Sequence, residues 1–103
     1  MGILIKSTQE KQIKIAGTDI DLTDIYGRVE FAGRIDGVTL DLSVYFFVNR
    51  LAFDNRQQLF TNIENNTFTV TLQTGEIQDL NTALNYSKVI FEELGYLVDV
   101  LND

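Results

Sequence analysis

The most regular hydrophobic pattern in the chain has period two. Val29, Phe31, Gly33 and Ile35 alternate with Arg28, Glu30, Ala32 and Arg34. Val38, Leu40, Leu42, Val44, Phe46 and Val48 alternate with Thr39, Asp41, Ser43, Tyr45 and Phe47. Half-buried strands produce this pattern, because successive side chains point to opposite faces. Asp36-Gly37 lies between the two runs and signals a two-residue type I′ turn. Residues 26–48 therefore predict a β-hairpin. Such a loop sets Ile35 opposite Val38, Phe31 opposite Leu42 and Val29 opposite Val44, so every inward residue meets another. Arg34 falls opposite Thr39 and diagonal to Asp41 on the wet face. A one-residue slip would turn the whole apolar set to water, which pins the register.

The remaining elements follow from the same reading. Phe68, Val70 and Leu72 alternate with threonines and Gln73, which predicts a strand over residues 67–73 after the Asn65-Asn66 turn signal. Residues 3–5 and 12–15 read as short strands. Residues 16–19 (Ala-Gly-Thr-Asp) read as a turn, with Ile20 and Leu22 opening a return strand. The period then changes to three and four: Ile77, Leu80, Leu84, Ser87, Phe91 and Leu94, with Ala83 and Ile90 beside them. That predicts a helix over residues 76–94, capped by Thr74 or Gly75, with Glu76 and Asp79 in its first turn and Gly95 as its stop. Tyr96, Val98 and Val100 give a last short strand. The fold class is α+β: a mostly antiparallel sheet with one C-terminal helix packed on a face. Periodicity leaves the strand order open.

Residues 49–66 break the pattern, with Leu51, Phe53, Leu59, Phe60 and Ile63 set among Asn, Gln and Arg. Such a long connection in a small domain either folds over one end of the sheet or makes contacts of its own. Tyr45 and Phe47 raise the same choice. They fall on the wet face of the hairpin, off the expected core, so either a second layer covers them or they meet another chain. Tyr45, Phe47, Phe53 and Phe60 are accordingly the candidate protein-contact residues, and replacing Tyr45 and Phe47 is expected to leave the fold intact. Tyr86 and Val89, opposite the apolar stripe of the helix, are next in line.

The length of 103 residues makes residues 1–103 one domain. Apolar runs stay far short of a membrane span, and the N-terminus lacks the basic and long apolar regions of a signal peptide. The chain is therefore expected to be made in the cytoplasm and to take no membrane partner. It contains no His and no Cys. This removes the usual zinc sites and the His-dependent nucleophile systems. A net charge of −7, with only 8 Lys and Arg and no cluster of them, argues against nucleic acid as a partner. The acidity serves solubility or suits a basic target.

Asp19, Asp21 and Asp24 are dense enough to suggest calcium, but the Gly and the late Glu of a calcium loop are missing, so a solvated face is expected. Fifteen acids make chance carboxylate pairs inevitable. The glycines form no phosphate-binding motif. No cofactor and no catalysis are expected.

The stretch YGRVEFAGRIDGVTLDL, residues 26–42, resembles small proteins encoded by tailed bacteriophages of Bacteroidetes hosts, including crAss-like phages. So do TLQTGEIQDLNTALNYSKVIFEELGY, residues 71–96, the opening residues 1–6 and IKIAGTDI. The resemblance covers most of the chain, and its motifs are structural, so it assigns no catalytic or ligand residues. It implies a virion component of the tail, collar or capsid surface, working by contacts with copies of itself or with a larger phage structural protein. The alternative is a free cytoplasmic phage protein that binds and inhibits a host factor.

Overall fold

The computed structural model describes residues 2–63 and 65–101. The chain forms β1 (Gly2–Lys6), β2 (Ile13–Lys14), β3 (Asp21–Leu22), β4 (Asp24–Gly33), β5 (Thr39–Phe47), α1 (Arg50–Asp54), β6 (Thr67–Thr71), α2 (Leu80–Glu93) and β7 (Leu97–Leu101). Five strands make one antiparallel sheet in the order β6-β5-β4-β1-β7, and β2 and β3 make a separate ribbon. The C-terminal helix α2 lies across one face, so the α+β architecture is as its sequence pattern predicts.

The hairpin register is the expected one: Phe31 faces Leu42 and Val29 faces Val44. With β1 and β7 added, Ile3, Ile5, Ile25, Val29, Leu40, Leu42, Val44 and Val98 all project toward α2 and are buried. From the helix, Ala83, Leu84, Ser87 and Phe91 meet them. Phe91 is fully buried and stacks edge-on against Phe46, Phe68 and Tyr96, with ring centroids 6.1, 5.6 and 6.3 Å away. Burying an aromatic ring of this size is among the larger single contributions a small domain can make. Ser87, the one buried polar residue among the described residues, donates its hydroxyl to Ala83 O at 2.8 Å, so its burial leaves no orphan group.

Two local expectations are corrected. The hairpin turn is not type I′. That turn needs positive φ at both central residues, and here only Gly37 has it, at 77°. Arg34 N–H donates to Thr39 O at 2.9 Å and Gly37 N–H to Arg34 O at 3.1 Å, which makes a four-residue loop of residues 35–38. The cause is Asp36. Its Oδ1 accepts from the Val38 and Thr39 amides at 2.9 and 2.8 Å, and its Oδ2 accepts from the Thr39 hydroxyl at 2.5 Å. The side chain thus takes the Val38 amide, which would have closed the smaller turn on Ile35 O, and the Thr39 amide with it. Adding two residues preserves parity, so the register survives. Ile35 (106% exposed) and Val38 (46%) instead project from the tip rather than pairing over the core.

The helix starts at Leu80 rather than at residue 76. Asp79 is its N-cap, accepting the Thr82 amide at 2.9 Å, and not Thr74 or Gly75. Gly75 sits at φ 90° in a turn where Gln73 N–H donates to Glu76 Oε1 at 2.7 Å, so the backbone there is turned away from the helical path. Glu76 and Asp79 therefore lie outside the first turn, and Ile77 is 64% exposed before the helix begins. At the other end Gly95 adopts φ 106° and stops the helix as expected. Strand β6 ends at Thr71, two residues short of the expected boundary.

Candidate functional site

The face of the sheet that α2 does not cover carries Tyr26, Arg28 and Glu30 on β4, and Ser43, Tyr45 and Phe47 on β5. The register places Tyr26 beside Phe47 and Arg28 beside Tyr45. Gly2 on β1 makes room for the Tyr26 ring: a Cβ there would come within 2.8 Å of the ring. Without that space the ring could not reach over Gly2; Tyr26 is 2% exposed.

Immediately after β5 the chain turns back on this face. Asn49 caps α1 by accepting the Ala52 amide at 2.9 Å. One short helical turn then sets Phe53 on the two strand aromatics. Its ring centroid lies 5.8 Å from Tyr26 and 5.2 Å from Phe47, edge-on to the latter. The Arg28 guanidinium sits 4.7 Å from the Phe53 centroid and that of Arg50 5.5 Å from it. Both are within cation–π range. Arg50 also pairs with Asp54 at 3.2 Å.

The end of α1 explains a further feature. Gln57 N–H donates to Ala52 O at 2.8 Å and Arg56 N–H to Phe53 O at 2.9 Å, the paired bonds of a Schellman helix stop. The residue at the left-handed position of that motif is ordinarily glycine. Here it is Arg56, with φ 56°. A side chain in this conformation costs about 1–2 kcal/mol relative to the right-handed region.

Beside Phe53 the strands and the loop after α1 enclose a cleft of about 620 Å3. Arg28, Glu30 and Tyr45 contribute from the sheet, and Phe53, Asp54 and Arg56 from the other side. Among the described residues no carboxylate pairs with Arg28 or Arg56, although every other arginine has one: Arg34 with Asp41, Arg50 with Asp54. The walls thus carry the rings of Tyr45, Phe47 and Phe53, the carboxylates of Glu30 and Asp54, the latter already paired with Arg50, and two arginines that no described carboxylate pairs, in a chain whose net charge is −7. Such a surface is suited to apolar contact combined with a carboxylate; aromatic and arginine side chains are the ones that dominate protein interfaces.

The four sequence-predicted contact residues fare differently. Tyr45, Phe47 and Phe53 come together at this cleft. Phe47, for which the sequence left a covering layer or a partner chain open, is only 7% exposed because Phe53 covers it. Replacing it is therefore not neutral for the fold, and the expectation that Tyr45 and Phe47 could both be removed harmlessly is corrected. Tyr45 is half-buried at the cleft wall. Phe60 is elsewhere. Its carbonyl accepts from Ala16 N–H at 2.9 Å, and Asn62 bonds Lys14 in both directions, so this segment runs beside β2. Leu59 and Ile63 turn to the core while Phe60 is 71% exposed. Tyr86 donates its hydroxyl to Glu76 Oε1, which holds Glu76 below the usual carboxylate range and raises the tyrosine.

Arg28 and Arg56 are the residues sequence reasoning passed over. The first was accessible to it, since the hairpin register alone puts Arg28 opposite Tyr45. Nothing in the local pattern marked the second. Among the described residues no three His, Cys, Asp or Glu gather as a metal site; Asp21 pairs with Lys14 at 3.3 Å instead. No described helix is long and apolar enough to cross a membrane. Comparison with protein-family models, with curated proteins and with solved structures finds no significant match.

Proposed function

We propose that this chain is a structural or assembly protein of a tailed-bacteriophage particle, held in the tail, the collar or the capsid surface by contacts with other protein chains. The observation that carries this reading is the cleft of Arg28, Tyr45, Phe53 and Arg56. It offers aromatic surface and two arginines that no described carboxylate pairs, and one of those arginines stands where glycine would cost less. The partner it suits is a segment presenting a carboxylate next to an apolar side chain, on a neighbouring copy or a larger structural protein. The resemblance of residues 26–42 and 71–96 to small proteins of such phages supports the particle as the setting.

Mass spectrometry of purified particles tests the setting. The expected result is the chain in fixed ratio to the major structural protein. Its absence would discard this reading and leave the free inhibitor of a host factor, which the charge of −7 would suit against a basic target. A Tyr45→Ser, Arg56→Gly double variant tests the cleft. It should fold normally, as judged by circular dichroism, and fail to be incorporated. Normal incorporation would move the contact to another surface.

A further inference from the structure

Strand β6 ends the sheet on one side, and no described strand pairs with its outer edge. Val44 N–H donates to Asn66 O at 2.8 Å and Leu72 N–H to Val38 O at 2.7 Å. Antiparallel pairing alternates, so residues 66, 68, 70 and 72 turn their backbone groups toward β5. Thr67, Thr69 and Thr71 then turn theirs outward, where no described residue accepts or donates. Natural sheet edges are ordinarily guarded by charge, proline or a bulge. Here the strand reads TFTVT, and no charged residue occurs from residue 65 to residue 75. Asp41, the charge opposite Thr69 on β5, is held by Nε and Nη2 of Arg34 at 3.0 Å and accepts from the Thr69 hydroxyl at 2.9 Å. The opposite edge differs: β7 carries Asp99 at its centre, paired with Lys6 at 2.9 Å.

We infer that β6 is a self-association edge, pairing antiparallel with β6 of a second copy about a two-fold axis through Thr69, to give one ten-stranded sheet with both α2 helices on the same face. Three features select a second copy. The first is hydrogen bonding. Centring on Thr69 sets Thr67 of one copy opposite Thr71 of the other, and these are the residues with outward backbone groups, so the ladder closes without a slip. The second is side-chain matching. Phe68 of one copy meets Val70 of the other on the α2 face, and threonine meets threonine on the opposite face, both favourable cross-strand pairs. The third is charge. A chain of net charge −7 repels its own copy across most of its surface, and this edge is where like can meet like without opposing charges. An isologous pairing of this kind closes on itself and leaves the cleft open. It does not depend on the chain belonging to a particle.

Sedimentation velocity of the purified chain, over concentrations up to millimolar, should show a reversible dimer. Thr69→Pro removes an N–H that the folded monomer does not use, at an edge position where proline is tolerated. The variant should keep the wild-type circular dichroism, and its melting curve should match that of Thr69→Val, a control that loses the same hydroxyl bond to Asp41 but keeps the N–H. Its dimer dissociation constant should rise about 100-fold or more. A second pair of variants tests the register. Thr67→Lys with Thr71→Lys should weaken the dimer about tenfold or more, because the two lysines meet across the axis. Thr67→Lys with Thr71→Glu should restore it, because each lysine then meets a glutamate of the other copy. A wild-type chain that stays monomeric overturns the inference. So does a dimer that survives Thr69→Pro, and a lysine–glutamate variant no tighter than the double lysine overturns the register.

Discussion

Toward α2, Val29, Leu42, Val44 and Phe91 sit 4% exposed or less, within a layer on which a 14-residue helix packs. On the other side of the same two strands, Tyr26 and Phe47 are nearly as buried, at 2% and 7%. There the cover is a five-residue helix contributing one ring, Phe53. The first layer is redundant: several side chains of α2 enter it, and each buried residue touches many others. The second depends on few groups, because five residues bring too few side chains to do more. A short helix is marginal by itself and is held by what it docks on. The contrast teaches that burial of a side chain and robustness of the layer above it are separate properties. It also explains why the contact cleft lies on this side. A thin cover leaves its neighbours, Tyr45, Arg28 and Arg56, accessible.

The largest effect should come from the thick layer. Phe91→Ala removes a fully buried ring with three aromatic neighbours and should cost about 3–5 kcal/mol, read as a drop in the denaturation midpoint. A loss under about 1 kcal/mol would mean that α2 repacks freely, and the comparison would fail. Phe47→Ser should cost less, about 2–3 kcal/mol, since the thin layer can settle onto Tyr26. Its signature is local: hydrogen exchange should rise in residues 50–57 and stay low in α2. Equal exposure of both would show that the two faces unfold as one unit.

Arg56→Gly should act in the opposite direction. Glycine adopts the left-handed conformation without the steric penalty, so the variant should gain about 0.5–1 kcal/mol in stability while weakening any partner held at the cleft. A loss of stability would show that the arginine side chain supports α1 rather than serving the cleft.

The smallest effect concerns pH, and it reaches both faces because both hang on the one hairpin. The Asp36 carboxyl is held below its ordinary range by hydrogen bonds from the Thr39 hydroxyl and then the Val38 and Thr39 amides. Asp41 is lowered by Arg34 and then Thr69. A carboxylate depressed in the folded state stabilises it above the unfolded value, and that stabilisation is lost as pH falls through the folded value. Stability should therefore decline on acidification below about pH 4. Asp36→Asn should flatten that decline, and an unchanged acid limb would show that the turn contributes nothing to it.

The legibility of the sequence follows the same division. The hairpin register, the apolar set facing α2 and the stop at Gly95 were readable, because each depends on a period or on one residue's backbone preference. Asp36 misled the turn type: Asp-Gly favours a type I′ turn, yet an aspartate side chain can also bind the two amides that follow it, and local pattern does not rank these. The helix start was misplaced for a related reason, since Ile77 fits the helical period while Asp79 is the better cap. Phe47 was placed on the right face, and the choice left open there, a covering layer or another chain, falls to a covering layer that Phe53 provides.

What the sequence by itself determined is therefore the strands, the helix α2 and the register and two faces of the hairpin, though not α1, because alternation and capping act within a few residues. Only the tertiary structure decided the order β6-β5-β4-β1-β7, which leaves β6 as an open edge. Only it decided that Phe53 closes over Tyr26 and Phe47. It likewise decided that Arg56, at the end of a single helical turn, reaches the same cleft as Arg28 on β4. Those outcomes join residues far apart in the chain. They are settled by packing and by the geometry of the chain's return, to which no local period refers.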